Sequence, residues 1–181
     1  GALTFRLGFE NPRTSIADFL NGGKLTDSNL VTTSERFDFI PADSRLATNF
    51  SADALSKVIS DLPKSYDVVV LDLPGSLTQP LSLAISISQL VVVPVRNNLH
   101  SLRGYLQIKS ISAGVEIKAL AIGANSLIAE EELIDEPLLE SNELEAAAST
   151  KVSILTHGKA SESAESFRNV GYSILEKLGL E

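Results

Sequence analysis

Asp72 closes the apolar run YDVVVLDLPG over residues 66–75. A carboxylate at the tip of a strand suits Mg2+, directly or through water, because Mg2+ takes oxygen ligands and keeps several waters while bridging phosphates. Pro74 and Gly75 follow at once, as a turn placed to respond to a nucleotide's terminal phosphate. The competing role for Asp72 is structural, a strand-end carboxylate that caps the next turn. Asp67 stands five residues earlier. An odd separation puts the two side chains on opposite faces of a strand. They would also lie about 16 Å apart at ~3.3 Å per residue, so they do not share an ion.

Asn125 ends another apolar run. Its amide carries donors and an acceptor, which suits an adenine edge, with a turn or cap as the plainer role. Arg96, Asn97 and Asn98 also follow a strand closely, and Arg103 lies in the helix after them. They face a phosphate, a partner subunit or simply solvent. Near the end, His157-Gly158-Lys159-Ala160-Ser161 joins a predicted strand to a helix whose start attracts anions; an ordinary connecting turn is the alternative. Lys151, Lys159 and Arg168 form a small basic patch, diluted by Glu162 and Glu165.

Other chemistry is poorly supplied. The two histidines, His100 and His157, show no paired spacing for a metal. Ser76, Ser101 and Thr156 lack a histidine–acid pair to activate them. No glycine-rich loop before Lys-Ser/Thr occurs in the 181 residues. No residue is assigned a catalytic role.

The elements that must position these side chains follow from periodicity and punctuation. Ser15 or Thr14 caps a short helix that runs to Leu20, has Asp18 in its first turn and stops at Asn21-Gly22-Gly23. Asn11-Pro12 marks a turn before it. Residues 37–40 read as a strand and 51–62 as a helix with one apolar side. Residues 66–73 show no polar alternation in their middle, which predicts a strand covered on both faces. Residues 79–88 form the next helix, 90–95 a strand, 99–111 a helix and 117–122 a strand. Residues 130–148 are acidic and mainly helical, broken or kinked at Pro137. Residues 151–155 read as a fourth short strand and 161–178 as a terminal helix with Phe167, Val170, Ile174 and Leu178 on one face. Strands alternating with helices imply an open, mostly parallel α/β sheet. Its ligand crevice lies at the carboxyl ends of the strands.

The net charge of −8 argues against a broad nucleic-acid surface, though not against a local basic patch. With no cysteine, disulfides and thiolate chemistry are excluded. No run reaches the length of an apolar membrane span. With no methionine and an abrupt apolar opening, the sequence reads as entered partway through a domain.

Together these stretches resemble the ParA/MinD family of deviant-Walker P-loop ATPases, nearest its chromosome- and plasmid-partitioning branch. YDVVVLDLPGSLTQ, residues 66–79, is similar to the family's Walker B strand and switch segment. VVVPVRNNLHSLRG, residues 91–104, resembles its next strand and helix. The opening GALTFRLGFENPRTSIADFL and FDFIPAD, residues 37–43, look like segments before it, and HGKASESAESFRNVGYSILEKL resembles the C-terminal helix entry, where nonspecific DNA contacts occur. The resemblance implies that residues 1–181 are the larger, C-terminal part of a single nucleotide-binding domain. The first strand and phosphate loop are then expected upstream of Gly1. It implies ATP/ADP and Mg2+ as ligands, with Asp72 linked to the metal, Pro74 and Gly75 in the switch and Asn125 on adenine. It implies an ATP-bound homodimer, slow hydrolysis by the complete polypeptide, and a centromere-binding partner that stimulates it. Arg96, Asn97, Arg103, Lys159 and Arg168 become candidate interface or DNA contacts. The expected location is cytoplasmic and nucleoid-associated, without a membrane anchor, since residues 167–178 look like a packed helix. Two other readings stand beside this one: a noncatalytic interaction module on the same fold, and an ATPase for polar localisation of a protein complex.

Overall fold

The computed structural model describes residues 2–9, 12–47, 50–112 and 114–180, so Asn11 of the predicted turn lies outside the described residues. The chain forms two compact units, Gly1–Ile87 and Ser88–Glu181.

The first unit opens with helices α1 (Ala2–Arg6) and α2 (Ile16–Leu20). Ser15 caps α2 as its residue type predicts. Its hydroxyl accepts the Ala17 N–H at 3.2 Å, and the Asp18 carboxylate accepts the Ser15 N–H at 2.8 Å, a reciprocal box that satisfies two orphan donors. Gly22 ends the helix in the left-handed region, at φ 93°. A short antiparallel pair follows, β1 (Val31–Thr32) with β2 (Asp38–Phe39). Then come α3 (Ala52–Ser60), capped by Ser51, and α4 (Gln79–Ile87). Phe19, Leu25 and Val58 form a buried cluster on which Leu30, Ile40 and Leu62 pack.

Arg45 ties α2 to the chain after β2. Its guanidinium meets Asp18 at 2.6 Å and Asp43 at 2.6 Å. Hydrogen bonds from Arg45 hold the Asp43 carboxyl down to about 2. The Ser15 backbone N–H, and then Arg45, hold Asp18 below its usual range. A carboxyl lowered in the folded state contributes stability that is complete above its unfolded pKa, ~3.9, and is lost as pH falls toward its folded pKa. The urea midpoint is therefore expected to fall more steeply between about pH 4 and pH 2 in the parent than in Arg45→Met. Parallel midpoint–pH curves would remove this network from the acid response.

Residues 66–73 depart from expectation. They join no ladder among the described residues, whose strands form only the pair β1–β2 and the pair Leu90–Val95 with Glu116–Ala121. Val68, Val69 and Val70 are exposed, Val70 at 84%. The apolar run records a segment suited to burial on both faces. A strand, however, needs a neighbour to receive its N–H and C=O groups, and none of the described residues pairs with it. The start of the run is held differently, by the Tyr66 hydroxyl donating to Asp38, which also accepts from Thr32 Oγ1 at 2.6 Å.

The second unit is built on parallel strands β3 (Leu90–Val95) and β4 (Glu116–Ala121), in register from Leu90 opposite Glu116 to Val95 opposite Ala121. Helix α5 (Leu99–Ser110) makes the crossover that parallel strands require. Asn98 caps it, its Oδ1 accepting the Ser101 N–H at 2.9 Å. The remaining helices are α6 (Glu143–Ser149), α7 (Ile154–His157) and α8 (Glu162–Lys177).

Two predicted elements change here. Residues 130–148 are not mainly helical. A 3-10 turn at Glu130–Glu132 leads into an extended stretch beside β4, where Ile134 N–H donates to Ala119 O and Leu138 N–H to Ala121 O, both at 2.8 Å. Pro137 cannot donate within a helix, and docking on β4 buries Ile134 against Leu120 and Val170. Residues 151–155 are not a strand either. Lys151 turns at φ 57°, and Ser153 caps α7 by accepting the Thr156 N–H at 3.3 Å. The cap outweighs the β-propensity of a run this short, and Ile154 instead packs with Ala147 and Ala164.

Candidate functional site

The carboxyl ends of β3 and β4 gather four of the polar residues named above, Arg96, Asn97, Asn98 and Asn125. β3 leads into Arg96, Asn97 and Asn98, and β4 into Gly123, Ala124 and Asn125. Gly123 lies at φ 71°, a left-handed turn that its lack of a Cβ permits. Its N–H donates to Leu138 O at 2.8 Å.

Asn125 works within this turn. Its Oδ1 accepts the Leu127 N–H at 3.0 Å and the Ile128 N–H at 3.2 Å. Its Nδ2 is buried and has no hydrogen-bond partner among the described residues. An unpaired buried amide donor costs about 1–3 kcal/mol, so an acceptor from a ligand offsets a real deficit at this atom. Asn97 stands beside it. Its Oδ1 lies 3.3 Å from the Ser126 N and 3.4 Å from the Ser126 hydroxyl. Arg96 pairs with Glu140, a partner that sequence spacing does not reveal. Arg103 is exposed on α5 and makes no hydrogen bond or ion pair among the described residues.

Downstream, the 3-10 turn at Glu130–Glu132 is held by a second group, one not named among the candidates above. Tyr105 on α5 is 1% exposed, and its hydroxyl donates to Glu132 Oε2 at 2.9 Å. Lys109 also pairs with Glu132. Burial, and then the Glu132 hydrogen bond, push the Tyr105 hydroxyl up, while Lys109 and Tyr105 hold Glu132 down. The helical i, i+4 spacing of Tyr105 and Lys109 was the available signal.

In the first unit, Asp72, Pro74 and Gly75 are exposed. A Cβ on Gly75 would meet nothing within 4 Å, so space alone does not demand glycine there. Among the described residues no three His, Asp or Glu side chains gather into a metal cage. Asp72 instead offers one oxygen donor open to solvent. That donor fits Mg2+, which takes one or two carboxylates and fills the rest of its shell with water and phosphate.

The basic residues of the terminal segment are partly engaged. Arg168 Nη2 donates to the Lys159 carbonyl. The His157–Ser161 segment links α7 to α8, and a Cβ on Gly158 would come within 3.0 Å of Ser161 Oγ. That hydroxyl caps α8 by accepting the Ala164 N–H at 3.2 Å. The glycine's close approach thus serves the cap. Glu162, Glu165 and Glu176 are exposed on α8. No helix of the described residues is long and apolar enough to cross a membrane.

The chain resembles known proteins in both sequence and fold. The profile of an AAA domain family matches residues 8–120. ParA family proteins of Mycoplasma genitalium and Mycoplasma pneumoniae are each 26% identical over 90 residues, 45% of this chain. The matched region spans 34% and 33% of their lengths, about a third of each. The solved cell division ATPase MinD of Pyrococcus furiosus aligns with a TM-score of 0.73 at 18% identity, covering 97% of this chain and 80% of that one. The MinC:MinD cell division protein complex of Aquifex aeolicus aligns at 0.75 and 16% identity, with the same coverage. At these identities the structural likeness shows the fold, α/β with helices flanking a mostly parallel sheet.

Proposed function

Because the chain belongs to this AAA domain family, among the P-loop ATPases of ParA/MinD type, we propose that the full-length protein binds ATP with Mg2+ and dimerises around it. It hydrolyses the nucleotide slowly and uses the cycle to position DNA or other cellular cargo. The observation that supports this reading best is the buried, unpartnered Nδ2 of Asn125 at the carboxyl edge of β4, where open α/β sheets take their ligands. In this reading Asn125 contacts the base and Asp72 supplies one oxygen to Mg2+, which neutralises phosphate charge when bound. Pro74 and Gly75 begin the segment that senses the terminal phosphate.

The test is assembly. In the full-length protein, Asp72→Ala is expected to weaken MgATP-dependent dimerisation about tenfold or more, as loss of a charged ligand of ~1.5–3 kcal/mol implies. Sedimentation velocity with and without MgATP measures it. Equal nucleotide-dependent assembly in mutant and parent would remove Asp72 from the site.

A second reading, positioning a protein complex rather than DNA, is favoured by the exposed glutamates on α8 beside Lys159 and Arg168. Salt-sensitive binding of the ATP form to nonspecific DNA separates the two.

A further inference from the structure

Two backbone N–H groups, those of Leu127 at 3.0 Å and Ile128 at 3.2 Å, converge on one atom of the Asn125 amide. That atom must be the oxygen, because an amide nitrogen is a donor only. Turning the amide over would set its NH2 against both donors and strand them. Ile128 is buried, and Ser126 lies against Asn97 Oδ1 at 3.3 Å, so the turn is anchored on both sides of the amide. Ala124, Ser126 and Leu127 are exposed, which keeps the turn at the surface. The Nδ2 remains uncommitted, with no partner among the described residues.

The geometry points to Asn125 as a donor-only reader of a purine. It recognises an acceptor on the base and is blind to the exocyclic amine of adenine. This rests on the base-contact reading above and sharpens its chemistry. A free asparagine amide engages adenine through both halves, its oxygen taking the amine and its nitrogen giving to the adjacent ring nitrogen. Here the turn holds the oxygen. The remaining donor takes a ring nitrogen or a carbonyl oxygen, and hypoxanthine offers both. Asn125 therefore contributes affinity for purines and no discrimination between adenine and hypoxanthine; any such preference comes from other groups.

The experiment compares the binding of MgADP and MgIDP by calorimetry in the full-length parent and Asn125→Asp, alongside the melting temperatures of both and of Asn125→Ala. Aspartate keeps an oxygen for the turn and replaces the donor with a second acceptor. Asn125→Asp is expected to melt within about 2 °C of the parent, with Asn125→Ala clearly lower. It should also weaken ADP and IDP equally, each by about tenfold or more, as a lost hydrogen bond facing an acceptor implies. Asn125→Ala, titrated with the same two nucleotides, removes the oxygen as well, and a loss for ADP there more than about tenfold larger than for IDP would show the oxygen reading the amine, overturning the inference while leaving the base contact in place. Asn125→Asp melting as low as Asn125→Ala would overturn the commitment of the oxygen to the turn. Unchanged affinity for both nucleotides would take away the base contact itself.

Discussion

Ile134→Ala is expected to lower the unfolding free energy of the second unit by about 2–5 kcal/mol. Ile134 is 2% exposed and packs with Leu120 and Val170, on which Val92, Leu138 and Ile174 also lie. Truncation removes three carbons from a site walled by strand and helix. The walls are held by the β-ladder and by α8, so the cavity does not collapse, and the lost transfer energy is joined by lost dispersion contacts. The Ile134 N–H bond to Ala119 O, at 2.8 Å, survives the change, which isolates packing from hydrogen bonding. Urea denaturation at constant slope measures the effect. A cost below about 0.5 kcal/mol, the range of ordinary surface substitutions, would mean that residues 133–138 are not docked on β4.

A second large effect is colloidal. Val68, Val69 and Val70 are β-branched and exposed, with no strand paired to them among the described residues. Such a segment is a template for pairing with another chain. The 181-residue chain is expected to self-associate as its concentration rises, and Val70→Lys to suppress this while changing stability by no more than about 0.5 kcal/mol. Light scattering across a concentration series reads the first, and urea denaturation the second. If Val70→Lys instead costs ~2 kcal/mol or more, the valine is covered in solution, because burying an unpaired ammonium is what carries such a cost.

These two residues also show what the sequence could and could not convey. Local signals carried far. The Asn98 and Ser161 caps and the Ser15 box each rest on atoms within four residues of one another, and the continuous apolar runs of β3 and β4 mark strands that stand where their residues imply. Failures came where distant groups decide. Residues 66–73 have the composition of a doubly covered strand, yet pairing is a property of two segments. Ile134 and Leu138 have helical spacing, yet the proline between them and the edge of β4 make the stretch extended. The site behaves alike. The type and strand-end position of Asn125 were legible. Which half of its amide is spent depends on the backbone of Leu127 and Ile128, and the partner of Arg96 is Glu140, far along the chain.

β4 is flanked on one side by β3 and on the other by residues 133–138. The turn that carries Asn125 leaves the end of this doubly bonded strand, with the Gly123 N–H fixed on Leu138 O and Ile128 buried just beyond. Its donor is therefore preorganised. Ordering a side chain at an interface typically costs about 0.5–1.5 kcal/mol of lost rotamer freedom. For Asn125 that entropy is given up when the unit folds, so a base arriving at Nδ2 meets an amide already immobilised and gains the contact with little left to freeze.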